Sequence, residues 1–477
     1  MITRLAALLL LSTAIPAFAG QAPVRADVPD IAISKSDRFY TSDQFSNTVS
    51  VIDPSQNKLL GVIKLGEPTP ANLSPLYRGQ VLVHGMGFSP DHKTLAVISI
   101  GSNSVSFIDT ETNAVKHTAY VGRSPHEAFF RPDGKEVWVS IRGEDYIQVL
   151  DGENFAPTTR IKVPNGPGMT IFSPDGRYGY VCSSFSPETV VIDTGTKKIV
   201  GSMKQDSPFC PDIAATPDGA QVWLTLKDIG KTMVFNAKPP FQSLKVLDTG
   251  PITNHVNIVR NGKEQFAYVT VGGLNLIKVF RTDGFEQVAS IPVGALPHGL
   301  WPSGDGTRVY VGLENADAAA VIDTASNKVI ETIPLGQAPQ GVAYVPNAVT
   351  KGDGMANLQP LSAAAGSTQL SLASADGKGA TQVTLFNQGL VQMLQAAVTG
   401  LEPKQPYVLA LAASATGDGV VQPLAAFMSN PAGAAIVNAV GPIRQVVSEV
   451  AAIQRRYLVI VEGMADKPGK PVQIQKP

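Results

Sequence analysis

The sequence has little net charge and few charged side chains. Its 477 residues carry 38 lysines and arginines against 39 aspartates and glutamates, and only 16% of the residues are charged. Without a basic stripe, the composition gives no reason to expect nucleic acid or an anionic membrane as a partner. The hydrophobic content of 44% is typical of a globular protein. A chain of this length requires several domains or a repeat architecture.

Long apolar runs are lacking except at the N-terminus. There Arg4 precedes an apolar run from Leu5 to Ile15, and Ala17-Phe18-Ala19 has the pattern of a cleavage site. The run is too short for a comfortable membrane span. We therefore expect a signal peptide over residues 1–19, an N-terminal extension over 20–37, and an exported protein, periplasmic or extracellular, with no membrane span.

What the sequence does contain is a repeat. Pro-Asp-Gly-like turns recur in FSPDHKTLAVIS, FRPDGKEVWVS, FSPDGRYGYVCS and ATPDGAQVWLT, and a second strand and turn such as VSFIDTETNAV follows most copies. Aligning the copies puts the start of the first strand at residues 84, 126, 168, 211, 255, 298 and 340, a spacing of 42 to 44. Repeats of about 40–45 residues that hold four short strands predict the blades of a β-propeller.

The ends of the repeat region predict a closed ring of seven blades over residues 38–346. The N-terminal copy lacks a first strand, whereas the C-terminal copy, QGVAYVP, is little more than a first strand. Joined, they complete one blade and remove exposed sheet edges. These repeats, with AYVTVGG and PHGLWPSGDGTRVYVG, resemble the YVTN β-propeller family of the WD40-like and quinoprotein-like superfamily. The resemblance implies the fold but no single activity, since members range from surface-layer and binding proteins to relatives of the haem d1 domain of nitrite reductase.

The composition changes after Pro346. Residues 347–366 form a Gly/Ala/Ser-rich linker, and alternating apolar runs over 367–477 predict a small antiparallel β-sandwich. The fold class is therefore all-β. The stretch VTGLEPKQPYVLALA resembles the exported C-terminal domains of anti-sigma-K-type factors. This region has no histidine, cysteine or acidic cluster, so we expect it to serve attachment or partner binding rather than chemistry.

Histidine is the residue that the repeat organises. Four of the six histidines fall at the start of a first strand, where the last copy has a glutamine: His84, His126, His255, His298 and Gln340. Because first strands line the channel of a propeller, we expect these side chains at the channel mouth. Several imidazoles suit a transition metal such as copper or zinc, and one or two suit non-covalent haem. Alternatively, they line a wet channel without a cofactor. Covalent c-type haem is excluded, since the sequence has no Cys-x-x-Cys-His motif.

Charged residues near the ends of second strands are expected on the same face. They are Asp43, Arg142, Lys227 and Glu314. The two cations would suit an anionic ligand, and the two carboxylates could orient an imidazole. The alternative is that all four are solvated loop charges. The long connection EPTPANLSPLYRGQVLV, which carries Tyr77 and Arg78, is also predicted at this face as a lid or specificity loop.

The two cysteines of the chain are predicted to lie close together. Cys182 ends the second strand of one blade, and Cys210 precedes the first strand of the next. Both then lie at the loop face of neighbouring blades, which favours a disulfide. The alternative is that Cys210 is a thiolate ligand beside the histidines.

Two classes of function follow from the sequence. The first is an exported scaffold that binds a small ligand or a protein partner at the His-lined channel mouth, where a transition metal or haem can be held. The alternative is a periplasmic metal- or haem-dependent oxidoreductase, or a hydrolase resembling the propeller lactonases, that uses the same site. No spacing of a nucleophile and a base is diagnostic of hydrolysis.

Overall fold

The computed structural model describes residues 28–66, 81–361, 366–377, 379–388, 391–447 and 455–476. The expected signal peptide and the connection that carries Tyr77 and Arg78 lie outside these ranges. Within them, no helix is both long enough and apolar enough to cross a membrane.

The first part of the described chain forms seven four-stranded antiparallel sheets. The first three blades contain β1 (Arg38–Asp43), β2 (Thr48–Asp53), β3 (Lys58–Lys64); β4 (Val83–Phe88), β5 (Thr94–Ser99), β6 (Ser104–Asp109), β7 (Val115–Tyr120); and β8 (Pro125–Phe130), β9 (Glu136–Ile141), β10 (Tyr146–Asp151), β11 (Pro157–Lys162). The fourth and fifth contain β12 (Pro167–Phe172), β13 (Tyr178–Ser183), β14 (Glu188–Asp193), β15 (Lys198–Lys204); and β16 (Ile213–Ala215), β17 (Gln221–Leu226), β18 (Lys231–Asn236), β19 (Ser243–Asp248). The last two contain β20 (Thr253–Asn261), β21 (Glu264–Val271), β22 (Leu276–Arg281), β23 (Gln287–Pro292); and β24 (Pro297–Pro302), β25 (Arg308–Leu313), β26 (Ala318–Asp323), β27 (Lys328–Pro334).

A further strand closes the ring. This strand, β28 (Pro339–Val345), pairs antiparallel with β1 and becomes the innermost strand of the first blade. The seven innermost strands, β28, β4, β8, β12, β16, β20 and β24, contact one another around a central channel. The seven-bladed propeller predicted from the repeats is confirmed, with its first blade built from both ends of the repeat region.

The turn chemistry explains why each blade begins as a tight hairpin. After β8, the amide of Gly134 donates to the carbonyl oxygen of Arg131 (2.8 Å), and a carboxylate oxygen of Asp133 accepts from the amide of Lys135 (3.1 Å). Gly134 has a φ of 72°, a left-handed conformation that glycine adopts without a steric penalty.

Aromatic side chains on the second strands bind the blades together. The ring centroid of Trp138 lies 5.2 Å from that of Phe172 in the next blade. The ring centroid of Tyr310 lies 5.6 Å from that of Tyr344 in β28, the strand that closes the ring of blades. All four side chains are fully buried. Aromatic pairs of this kind stabilise a core by about 0.5–1.5 kcal/mol beyond the burial of their area. The propeller is thus held by contacts between blades as well as by hydrogen bonds within them.

The C-terminal domain is a single antiparallel sheet of eight strands that curls into a near-barrel. Its elements are β29 (Ser367–Ala373), β30 (Ala380–Gln388), β31 (Val391–Val398), β32 (Pro406–Ala412), β33 (Val420–Met428), β34 (Ala435–Gly441), the short helix α1 (Ile443–Val447), β35 (Tyr457–Met464) and β36 (Lys467–Gln475). The strand order is β33-β32-β35-β36-β29-β30-β31-β34, and the edge strands β33 and β34 approach each other. One apolar core, which includes Leu385, Leu394, Leu409 and Ile460, fills the space that the sheet encloses.

A segment of the predicted linker runs along the propeller to reach this domain. The side-chain amide of Asn113 donates to the carbonyl oxygens of Gly354 and Ala356 (both 2.9 Å). Farther along, Gln359 pairs with Val62 of β3. The described part of this segment, residues 347–361, is therefore anchored to two blades.

The C-terminal domain packs onto the face of the propeller that carries the channel mouth. The ring of Phe386 lies 4.8 Å from that of Phe45, and the hydroxyl of Thr384 donates to the carbonyl oxygen of Asn315 (3.0 Å). The domain was expected to attach to a partner, and the surface that it contacts here is its own propeller.

Candidate functional site

The innermost strands bring three imidazoles and one amide to one end of the channel. His84, His126 and His298 are the second residues of β4, β8 and β24, and Gln340 is the second residue of β28. All four side chains are buried and line one cavity. The strands pack so closely that a Cβ atom on Gly85 would overlap the carbonyl oxygen of His126. This close packing determines where each side chain enters the cavity.

The imidazoles form a row in the order His126, His84, His298 and His255. The Nε2 atoms of His84 and His126 lie 3.0 Å apart, with ring centroids separated by 4.4 Å. The ring of His298 lies 6.2 Å from that of His84 and 4.8 Å from that of His255. The rings of His126 and His298 thus lie next to that of His84, and the ring of His255 lies next to that of His298.

Three of the imidazoles turn their Nδ1 atom toward a carboxyl group. The Nδ1-to-oxygen distances are 3.0 Å for His298 and Glu314, 3.5 Å for His255 and Asp212, and 3.8 Å for His126 and Glu127. Glu314 also accepts from the side-chain amide of Gln340 (2.9 Å). At 3.0 Å, the carboxylate of Glu314 can fix the ring of His298 and leave its Nε2 as the ligand atom, an arrangement common in metal sites.

Burial sets the protonation of the cluster. It lowers the pKa of His84, His126 and His255 well below the usual value, and neighbouring charges reinforce the effect. These rings are therefore neutral near pH 7, the form that binds a metal ion. Burial raises the pKa of Glu314, but His298 and Lys227 outweigh it, so that this pKa lies below its usual value and the carboxylate is ionised.

His255 lies one residue deeper than the sequence alignment placed it. In β8, residues 126 and 127 separate the paired residues Pro125 and Ala128, and in β20 residues 254 and 255 separate Thr253 and Val256. Asn254 therefore occupies the position of His126, and His255 occupies that of Glu127. His255 accordingly lines the channel below, a cavity of about 140 Å³ that it shares with Glu127 and Asp212.

The turn residues of the sequence contain the signal for this offset. The first hairpins of six blades turn at a residue with positive φ: His92, Gly134, Gly176, Gly219, Gly262 and Gly306. Counting back eight residues gives 84, 126, 168, 211, 254 and 298. This rule places Asn254, rather than His255, at the position equivalent to His126. The residues that directly follow this position include Glu127 and Asp212, which the sequence analysis did not identify.

Asp43 does not face the cavity. Its buried carboxylate accepts hydrogen bonds from Thr41 (2.7 Å), Thr48 (2.9 Å) and Ser50 (2.7 Å) inside the first blade. The residue that follows the strand, Gln44, lines the cavity instead, just as Arg142, Lys227 and Glu314 directly follow β9, β17 and β25. The prediction for Asp43 was thus one residue out of register.

The cavity is a chamber lined by both domains, with a volume of about 500 Å³. The propeller contributes the imidazoles together with Gln44, Arg142, Lys227 and Glu314, and the C-terminal domain contributes Gln395, Met428, Asn430, Ile436 and Asn438. This volume is within the roughly 300–1,000 Å³ typical of small-molecule sites. The site thus has the dimensions of a pocket for a small molecule.

Two cations face this chamber. The Nε of Arg142 donates to the hydroxyl of Ser184 (3.0 Å), and its guanidinium carbon lies 5.3 Å from the ring centroid of Phe209. The ammonium of Lys227 lies 5.8 Å from the same centroid. Burial lowers the pKa of Lys227, with Glu314 opposing and Arg142 reinforcing the shift. Both residues lie where the sequence placed them.

The structure joins Cys182 and Cys210 in a disulfide, with Cα atoms 5.9 Å apart. Cys182 is in β13 of the fourth blade, and Cys210 precedes β16 of the fifth. The bridge holds these blades together beside Pro211, which lines the chamber. With its sulfur in the bridge, Cys210 does not supply a thiolate to the imidazoles.

The donor atoms can be compared with the needs of a metal ion. Two nitrogens that each lie about 2.0–2.1 Å from one ion are separated by roughly 2.9–3.4 Å, which matches the 3.0 Å between His84 and His126. In the described part of the chain, no group of three or more His, Cys, Asp or Glu side chains is arranged to hold a metal ion. The pre-arranged donor set is therefore this imidazole pair.

Comparisons with solved structures show the fold. A protein of unknown function from Desulfotomaculum acetoxidans is 15% identical at a TM-score of 0.54, with 64% of this chain and 98% of that chain covered. Hydrazine synthase from Kuenenia stuttgartiensis is 19% identical (TM-score 0.47; 62% and 90% covered). The dihydro-heme d1 dehydrogenase NirN in complex with DHE is 11% identical (TM-score 0.48; 87% and 78% covered). The likeness to the Desulfotomaculum acetoxidans protein concerns architecture alone.

A search of curated proteins finds no match. The model of one family, described as YNCE-like beta-propeller, matches residues 4–349, which include the whole propeller. This chain belongs to the YNCE-like β-propeller family.

Proposed function

We propose that this protein is an exported binding protein whose chamber holds a transition metal ion on the Nε2 atoms of His84 and His126. The observation that carries the proposal is the 3.0 Å separation of these two atoms in a buried cavity. Neutral imidazole is a good ligand for copper and zinc.

The surroundings of His126 are compatible with a metal ion on the pair. Such an ion requires a proton on the Nδ1 atom of each neutral ring. Yet the Nδ1 of His84 is buried with no hydrogen-bond partner among the described residues. The Nδ1 of His126 has Glu127 at 3.8 Å. After a small rotation of the ring, the Nδ1–H of His126 could donate a hydrogen bond to Glu127.

The lining of the chamber by both domains supports a small ligand rather than a protein partner at this site. Side chains of β31, β33 and β34 line the same chamber as the imidazoles of His84 and His298, and Phe386 of β30 packs against Phe45 of the propeller. The N-terminal pattern of residues 1–19 and the Cys182–Cys210 bridge support export to an oxidising compartment.

Metal titration of the purified protein tests the proposal. We expect one equivalent of Cu²⁺ or Zn²⁺ to bind and to raise the unfolding temperature, because a ligand specific for the native state stabilises it by about 2.7 kcal/mol at 100 times its Kd. The variant His84→Ala/His126→Ala should lose the site, with affinity at least about tenfold weaker.

The matched control is His117→Ala, which removes an exposed imidazole from the outer strand β7. It should bind the ion as the unmodified chain does. Equal binding by the double variant, or no metal bound by any form of the folded protein, would rule out the site. Metal binding is also the first requirement of the oxidoreductase alternative.

A further inference from the structure

We infer that the chamber takes its metal ion as a complex with a small anionic chelator that bears carboxylate groups, and that Arg142 and Lys227 bind the anionic part. The inference rests on the proposed function and specifies the ligand class of the same site.

The described residues supply few pre-arranged donor atoms for a metal ion. Protein sites that hold zinc or copper commonly supply three or more ligands. Here the pre-arranged pair is His84 and His126, and the described residues form no larger donor group. An ion on two imidazoles keeps open coordination positions. These positions face a chamber of about 500 Å³, which is far larger than one ion needs.

Arg142 and Lys227 bring two positive charges to the chamber. Neither the ammonium of Lys227 nor the guanidinium of Arg142 forms an ion pair within 4.0 Å in the ranges described, although both lie near one phenyl ring, that of Phe209. Two like charges in a partly desolvated site repel each other, and the described residues supply no counter-ion within 4.0 Å of either cation. An anionic ligand would remove this penalty.

The carboxylates of the chamber already have other partners. Glu314 faces the Nδ1 of His298 and accepts from Gln340, and Asp228 accepts a hydrogen bond from the side chain of Asn430. The negative charges of Glu314 and Asp228 weaken the positive potential near Lys227, but neither carboxylate forms an ion pair within 4.0 Å of it among the described residues. Apart from the Nε of Arg142, which donates to Ser184, the donors of the two cations are thus available for an oxyanion, for which arginine has a matching planar geometry.

The location of the cations connects them to the imidazole pair. Arg142 and Lys227 line the same chamber as His84 and His126, and both cations are close enough to act electrostatically on His84. One small molecule can therefore bind the ion with some donors and the two cations with others. A neutral or cationic chelator would fill the same volume but leave the cations without a partner.

The test compares two preformed copper complexes of similar size. The copper–oxalate complex is neutral and presents carboxylate oxygens, whereas the copper–ethylenediamine complex is cationic and presents amine groups. We expect the unmodified chain to bind copper–oxalate at least about tenfold more tightly than copper–ethylenediamine, as charge-assisted contacts of this kind allow. In Arg142→Gln/Lys227→Gln the ratio of the two affinities, measured within that variant, should fall below about twofold.

Arg160→Gln/Lys162→Gln is the matched control, since it removes the same charge from β11 on the outside of the third blade. It should keep the full preference. Should the chamber variant fail to fold, Lys227→Gln alone provides a milder change and should reduce the preference. Equal binding of both complexes by the unmodified chain, or a preference retained without the cations, overturns the inference. Absence of any copper binding would instead refute the metal site itself.

Discussion

At the scale of single residues, the buried carboxyl groups of the hub fall into two kinds. Glu127, Asp212 and Glu314 face an imidazole, whereas Asp43 contacts only hydroxyl groups of its own blade. Burial raises the pKa of Asp212 to about 8 and that of Asp43 to about 7. The environment of each carboxyl, rather than its type, determines whether it can orient a ring or only hold strands together.

Asp43 predicts a pH dependence of stability. Because its native pKa of about 7 lies above the value of 3.8 for an unperturbed carboxyl, the native state holds this proton more tightly than the unfolded chain. The resulting stabilisation is complete below about pH 4 and is lost as the pH rises through 7. Relative to Asp43→Asn, the unmodified chain should therefore lose up to about 1.4 kcal/mol per pH unit over this range.

Denaturant unfolding at a series of pH values measures this difference. Asp248→Asn, which alters a carboxyl side chain that is 93% exposed, is the control and should leave the pH profile unchanged. A stability of the unmodified chain that rises with pH relative to Asp43→Asn would show that the buried carboxyl is ionised throughout.

At the scale of elements, the disulfide ties the second strand of one blade to the residues before the next. Cys182 and Cys210 close a loop across a sequence separation of 28. By the loop-entropy relation, such a bridge stabilises the native state by about 3–4 kcal/mol. Cys182→Ala/Cys210→Ala should lower the free energy of unfolding by roughly this amount, measured with denaturant, while the circular dichroism of the folded protein stays that of the propeller. An unchanged stability would mean that the bridge does not form in solution.

The elements also show what the sequence can and cannot predict. The blade count and the closure by β28 follow from a strict period, because each blade repeats the same turn and strand pattern. The predicted positions of His255 and Asp43 were each wrong by one residue. Successive side chains of a β-strand point to opposite faces of the sheet, so that a shift of one residue changes the side on which a side chain lies. For His255, the left-handed turn residues would have given the correct alignment. The docking of Phe386 on Phe45 joins distant parts of the chain, and no local pattern encodes such a contact.

At the scale of the whole molecule, the site is a product of two domains. The propeller supplies the imidazoles and the cations, and the C-terminal domain supplies another part of the wall. Residues 347–361, which lie between the two domains in the sequence, contact two blades of the propeller. A domain without histidine, cysteine or an acidic cluster thus completes a site whose chemistry is carried by the other domain. It does so by supplying polar and apolar side chains, among them Gln395, Asn430 and Met428, to the wall of the chamber.

The most direct test of the metal site is anomalous X-ray scattering from crystals of the full chain grown with Cu²⁺. We expect one strong copper peak about 2 Å from the Nε2 atoms of both His84 and His126, inside the chamber and on the side of Arg142 and Lys227. A peak elsewhere on the protein, or copper-free imidazoles with their Nε2 atoms still in mutual contact, would contradict it.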